Sequence, residues 1–293
     1  MNLVFRLLLV TSLAAGALAA EPQRGHLMLI GGGEKPRAAM QKFVELAGGK
    51  DAPIVVIPTA SRAPDTPEYY EKLFRDEYGS TDVVVLPIRS KADASRPELV
   101  AAAKRARGIF FGGGDQVRIL VALAGTPVLD ALREAFRNGA VVGGTSAGTA
   151  CQSDLMLTGE GNFKVIQSRS VELWDGLGFL RDDVIVDQHF IARQRQNRLL
   201  SVVLEHPRHL GIGVDEDTAI WVRPDDTFEV IGEGSVMVFD AAGSDIRRAP
   251  RPDGKELLGV RGMRMHIVLP GEAFDLAARM PVGAAATAAG AAH

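Results

Sequence analysis

The sequence predicts an α/β fold: a mainly parallel sheet flanked by helices, with an antiparallel extension towards the C-terminus. Three observations predict it. Apolar runs of strand length alternate with stretches of helical period from residue 26 to residue 142, the pattern of stacked βαβ units. Three of those runs lead straight into glycine-rich turns, Gly31-Gly32-Gly33, Gly112-Gly113-Gly114 and Gly143-Gly144-Thr145-Ser146-Ala147-Gly148, at the strand ends where open α/β sheets place their ligands. Beyond residue 184 the apolar runs become short and alternating, as antiparallel strands with one solvated face require.

Taken in order, residues 26–30 form the first strand. Met40, Phe43, Val44 and Ala47 then recur at helical spacing, and Gly48-Gly49 stops that helix. Residues 54–57 are a strand, and Thr66-Pro67 opens a helix carrying Tyr70, Leu73 and Phe74. Residues 83–86 repeat the strand pattern. Ser95 and Glu98 have the spacing of a capping box for a helix reaching about residue 107. Residues 108–111 are the strand before Gly112, and Asp115 is placed to cap the next helix. A further helix enters through Thr126-Pro127 and ends at Asn138-Gly139, and residues 140–142 lead to the third glycine turn. Residues 184–186 and 213–214 read as strands, and 219–222, 228–231, 235–239 and 266–269 as short alternating ones.

The chain has 293 residues, 46% hydrophobic and 24% charged, enough to bury a substantial core. A net charge of −3 excludes a chain-wide attraction to nucleic acid or anionic lipid. The lone Cys151 excludes an internal disulfide and a cysteine-cluster metal site. At the N-terminus, Arg6 precedes an uncharged apolar run from Leu7 to Ala20 that holds Ala17-Leu18-Ala19, the grammar of a secretory signal peptide. Those 14 residues rise about 21 Å as a helix, short of a hydrocarbon core of about 30 Å. Residues 1–20 are therefore expected to be a cleaved leader and the mature protein to be secreted or periplasmic, off the membrane. No Pro- or Ser-rich linker interrupts 21–282, read as one domain, and the Ala/Gly-rich 283–293 reads as a disordered tail.

Gly144-Thr145-Ser146-Ala147-Gly148 fits G-x-S-x-G, a strand-to-helix turn that lifts a serine hydroxyl above the sheet and tolerates no Cβ on either side. Read blandly, it is a glycine-rich loop at a helix N-terminus. The buried run leading in and the small residues Ala147 to Ala150 leading out favour the nucleophile. A serine hydroxyl needs a base. Of six histidines, His26 lies within the first strand, His206 and His209 flank Pro207-Arg208 in a polar turn, His266 lies in a late strand and His293 is terminal. His189 follows the run 184–188 at a strand's carboxyl end and is the candidate base. Glu160, Glu172, Asp187 and the run Asp215-Glu216-Asp217 are candidates for the carboxylate that orients it; Glu160 reads as part of a glycine-flanked loop and Glu172 as near a bend. Backbone N–H groups of Gly113, Gly114 and Asp115, with that of Ala147, are candidate oxyanion donors. No glycine turn carries a phosphate-binding signature, so neither nucleotide, cofactor nor metal is expected. Arg193, Arg195 and Arg198 follow His189. A solvated helix face is the bland reading, and recognition of a carboxylate the functional one.

Four motifs together, Phe110-Phe111-Gly112-Gly113-Gly114-Asp115-Gln116, Gly143 to Gly148, Asp187-Gln188-His189-Phe190 with its trailing arginines, and Gly211-Ile212-Gly213-Val214-Asp215-Glu216-Asp217-Thr218-Ala219, resemble the serine peptidase family that includes cyanophycinase and dipeptidase E. The resemblance implies a class I glutamine amidotransferase-like fold. It further implies hydrolysis of cyanophycin, a poly-aspartate with arginine on each β-carboxyl, to β-Asp-Arg dipeptides, and a homodimer. Ser146 and His189 match the family's nucleophile and base. Glu216 is the acid it points to, with Glu160 in reserve, and Gln116, Asp187, Gln188, Arg193, Arg195 and Arg198 match positions around the substrate. The competing readings are an aspartyl dipeptidase of the same family, a silent protein that captures acidic peptides, and an esterase, whose usual order would need His206, His209 or His266 as base.

Overall fold

In the computed structural model, residues 24–161 and 163–283 are described. The expected leader, 1–20, and all of the expected tail except Gly283 lie outside them. In chain order the elements are β1 (Leu27–Ile30), α1 (Arg37–Ala47), β2 (Ile54–Ile57), α2 (Thr66–Lys72, continued by a π turn at Leu73–Glu77), β3 (Val83–Val85), α3 (Pro97–Arg105), β4 (Gly108–Phe111), α4 (Gln116–Leu123), α5 (Pro127–Arg137), β5 (Val141–Thr145) and α6 (Ala147–Ala150). There follow β6 (Leu155–Gly161), β7 (Val171–Asp175), β8 (Val184–Gln188), α7 (Gln196–Glu205), β9 (Leu210–Val214), β10 (Thr218–Val222), β11 (Thr227–Gly232), β12 (Val236–Asp240), β13 (Asp245–Pro250), β14 (Glu256–Arg261), β15 (Arg264–Val268), β16 (Ala273–Asp275) and β17 (Met280–Pro281).

A nine-stranded sheet in the order β17-β16-β11-β10-β1-β5-β4-β2-β3 forms the frame. Strands β1, β5, β4, β2 and β3 are parallel, and β10 joins β1 antiparallel. The parallel strands are apolar on both faces because both are covered. Leu29, Val55, Ile57, Ile109 and Phe111 belong to one core cluster, and Met28, Ile30, Val56 and Phe110 to the other. The antiparallel extension divides: β10, β11, β16 and β17 continue the large sheet, whereas β12 and β15 join a second sheet, β15-β12-β9-β8, in which β8 and β9 are parallel.

Helix boundaries follow their local chemistry. Gly48 ends α1 at φ 113°, a conformation glycine adopts without penalty. Asp115 accepts from Val117 N–H at 2.9 Å and caps α4, and Thr126 caps α5. The capping box expected at Ser95 and Glu98 does not form. Ser95 Oγ donates to Lys91 O, Glu98 pairs with Arg96, and α3 starts at Pro97, whose missing N–H suits the first helical position.

Beneath the start of α7, Arg198 donates through Nε to Asp187 Oδ2 at 2.7 Å and through Nη2 to Oδ1, both side chains being 1% exposed. This pair welds α7 to the end of β8. Removing one partner of a buried pair strands the other charge and costs about 3–5 kcal/mol. Arg198→Met is therefore expected to lower the unfolding free energy by about that amount, and Asp187→Asn/Arg198→Met to restore part of it, both read from urea denaturation.

Candidate active site

Three parallel crossings bring the candidate residues to one edge. Ser146 sits between β5 and α6 at φ 54°, ψ −114°, a strained conformation for a residue with a Cβ, and its N–H donates to Ile30 O at 3.0 Å. The turn is tight enough that a Cβ on Gly144 would lie 2.1 Å from Gly148 O, and one on Gly148 2.1 Å from Phe111 O. His189 follows β8 at φ 51°, with its N–H on Gly31 O at 2.7 Å. Its Nε2 is 2.8 Å from Ser146 Oγ and its Nδ1 is 2.5 Å from Glu216 Oε1. The carboxylate accepts a hydrogen bond from Nδ1–H, which leaves Nε2 to accept from the serine hydroxyl.

The loop carrying Glu216 is held by its two acidic neighbours. Asp215 Oδ1 accepts from the N–H groups of Ile191 and Ala192, both at 3.0 Å. Asp217 Oδ1 accepts from Glu34 N–H at 2.6 Å, and Asp217 N–H donates to Gly32 O. Gly31-Gly32-Gly33, assigned no role in the sequence, therefore belongs to the site: a Cβ on Gly32 would lie 2.1 Å from His189 Cε1. A third glycine run at a strand end without a phosphate signature was the signal for it.

Burial holds the His189 imidazole below the usual histidine range, outweighing the hydrogen bond to Glu216 that favours the cation. The ring is thus neutral near pH 7. Arg193 Nε lies 3.6 Å from Glu216 Oε1 and adds to the lowering. Arg195 donates through Nη1 to Gln188 O at 2.8 Å and Oε1 at 2.7 Å. Its guanidinium is pushed down to about 10, by burial first and by Arg198 second.

A cleft of about 560 Å³ opens over Ser146, lined by Gly114, Asp115, Gln116, Val117, Thr158, Gly159, Glu160, Glu172, Trp174, Gln188, Arg193 and Arg195. Gln116 reaches it while tying α4 to β6 through Leu157 O at 2.8 Å. Asp187 and Arg198 do not line it; each is closed off by the other, so as side chains contacting substrate they are corrected to buried supports. Among the expected oxyanion donors, Asp115 N–H is committed to Ala60 O at 3.1 Å and Gly113 N–H to the Tyr70 hydroxyl at 3.2 Å. Gly114 N–H has no partner among the described residues, and Ala147 opens α6, where an N–H has none within the helix.

Glu160 and Glu172 lie on the β6–β7 hairpin, not in a loop or at a bend. Glu172 accepts from Thr158 and Trp174, and neither glutamate bonds to His189. The alternation of Val171 and Leu173 with Glu172 and Trp174 carried the hairpin's period-2 signal. The remaining described histidines are elsewhere: His26 accepts from Trp221 Nε1 at 3.1 Å, the half-buried His206 and His209 rings meet edge to face, and His266 packs on Phe274. No group of three His, Cys, Asp or Glu among the described residues is arranged to hold a metal, and no described helix is long and apolar enough to cross a membrane.

The imidazole environment has a direct readout. The His189 ring protons are expected to titrate by NMR with a midpoint below 6.5, and Glu216→Gln is expected to lower it further, since the carboxylate is what favours the cation. A midpoint above 6.5, or an upward shift in the variant, contradicts this balance.

The chain has relatives among known proteins. The chain is 40% identical over 258 residues to the cyanophycinase of Thermosynechococcus vestitus, covering 86% of this chain and 80% of the relative. It is 34% identical over 264 residues to that of Geminocystis herdmanii, covering 88% and 96%. The crystal structure of a peptidase from an acI-B1 Actinobacterium superposes with a TM-score of 0.62 at 25% identity, over 84% of this chain and 98% of that one, and the shared fold is class I glutamine amidotransferase-like. The model of peptidase family S51 matches residues 27–231, and the chain therefore belongs to that family of serine-type peptidases.

Proposed function

We propose that the protein is a secreted cyanophycinase: it hydrolyses the backbone of multi-arginyl-poly-aspartate to β-Asp-Arg dipeptides through an acyl-enzyme on Ser146. The observation that carries this reading is the chain Ser146–His189–Glu216, whose serine lines a cleft that holds charges of both signs. Each unit of that polymer bears a carboxylate and a guanidinium. Arg193 and Arg195 suit the first, and Glu160 and Glu172 the second. Relatives at 34–40% identity bearing the name cyanophycinase support the same substrate.

His189 Nε2 takes the Ser146 proton as Oγ attacks the backbone carbonyl carbon. The carbonyl π pair moves onto oxygen, where the N–H groups of Gly114 and Ala147 receive the charge. His189 returns the proton to the leaving amine as the C–N bond breaks. Water, deprotonated by the same imidazole, then attacks the ester, and Ser146 leaves with the proton. Glu216 stays ionised and holds the tautomer. Neither cofactor nor metal takes part. Gln116 and Gln188 present amides to the substrate, and the reading includes a homodimer and export through residues 1–20.

Incubation with insoluble cyanophycin is expected to release β-Asp-Arg, identified by mass spectrometry, and Ser146→Ala to lower that release by roughly 10⁴–10⁶-fold. Cleavage of Asp dipeptides instead of polymer selects the aspartyl dipeptidase. Binding without cleavage selects the capture protein. Gly32→Ala, which pushes on the His189 ring at a position with φ +118°, is expected to lower kcat about 100-fold and to lower the melting temperature as well; unaltered kcat in the folded variant removes the steric role of Gly32.

A further inference from the structure

The catalytic cleft is the size of a small-ligand site, so a polymer that enters it must run out over the surface. The sheet order shows in which direction a surface awaits it. Strands β5, β4, β2 and β3 are consecutive neighbours, and the segments after them line up along the carboxyl edge. The segment after β4 carries Gly114 to Val117 at the cleft. The segments after β2 and β3 carry Arg62 and Arg89, which with Arg118 on α4 border a second groove of about 650 Å³. Val117 lines both groove and cleft, so the two are adjacent.

This groove is electrostatically one-sided. It is lined by three arginines and by no Asp or Glu, in a chain whose net charge is −3. Arg62 has no hydrogen-bond or ion-pair partner among the described residues. Arg89 uses Nη1 on Ser61 O at 2.5 Å, and Arg118 uses Nε on Asp115 at 3.3 Å. Most of their donors therefore face solvent, and Val121, 56% exposed, adds an apolar floor. Guanidinium groups with free donors grip carboxylates in bidentate fashion.

We propose that this groove is a polymer-binding surface, distinct from the cleft, that holds carboxylates of units lying beyond the scissile bond and so favours the polymer over short peptides. The proposal rests on the cyanophycinase reading. Its test uses insoluble cyanophycin and a soluble oligomer of three β-Asp-Arg units. Arg62→Ala/Arg89→Ala is expected to weaken co-sedimentation with the insoluble polymer, measured on a Ser146→Ala background, by about tenfold. In the active enzyme the same pair lowers the initial rate on polymer by a similar factor and leaves kcat/KM on the oligomer within about twofold. Added salt weakens the wild-type co-sedimentation and has less effect on the variant. Undiminished co-sedimentation, or an equal fall on both substrates, overturns the surface. Where the double variant loses thermal stability, Arg62→Glu alone, at an exposed loop position, decides by the same two substrates. A wild type that cleaves neither overturns the cyanophycinase reading itself.

Discussion

The site depends on the absence of a side chain at Gly32. The His189 imidazole fills the space a Cβ would need, while the His189 N–H and the Ser146 N–H are anchored on the consecutive carbonyls of Gly31 and Ile30. The carboxyl end of β1 is thus the datum against which serine and histidine are both positioned. A parallel sheet provides such a datum because its crossovers return successive strand ends to one edge. The second sheet, through β8 and β9, contributes His189 and Glu216 to the same edge.

Electrostatics adds a second layer to that geometry. The imidazole is buried enough to stay neutral and is still held by a carboxylate that stabilises its cation once a proton arrives. These opposed influences suit the base of the proposed reaction, which gains and loses a proton in each turnover. The surrounding charges are sorted by depth: Asp187 and Arg198 neutralise each other below the surface, whereas Arg193 and Arg195 border the cleft. An arginine run that looks uniform in the sequence is therefore divided between a buried support and the cleft rim.

The glycine-rich turns follow from the same economy of space. Gly144 and Gly148 let the helix after Ser146 press against the backbone of its own turn and of β4. Gly114, at φ 138°, places the segment after β4 against Ala60, where Asp115 N–H is spent on that carbonyl. What looks in the sequence like a row of equivalent donors is a turn in which neighbouring N–H groups point different ways.

By itself the sequence determined the parallel half of the fold. Strand-length apolar runs buried on two faces, and caps such as Asp115, Thr126 and Gly48, are local signals that act over a few residues and need no partner to be read. It also determined that Ser146 lies in an elbow and His189 at a strand end, since both follow from strand-to-turn grammar. Only the tertiary structure decided which acid reaches the imidazole, because Asp215, Glu216 and Asp217 are adjacent in the chain and differ in the direction each side chain leaves a strained loop. Tertiary structure likewise decided that Arg198 is buried on Asp187, that Gly32 touches His189, and that the β6–β7 hairpin overlies the cleft. Apart from Asp187–Arg198, eleven residues apart, those contacts join segments distant in sequence, and proximity of that kind is set by how sheets and helices pack, not by the spacing of residues along the chain.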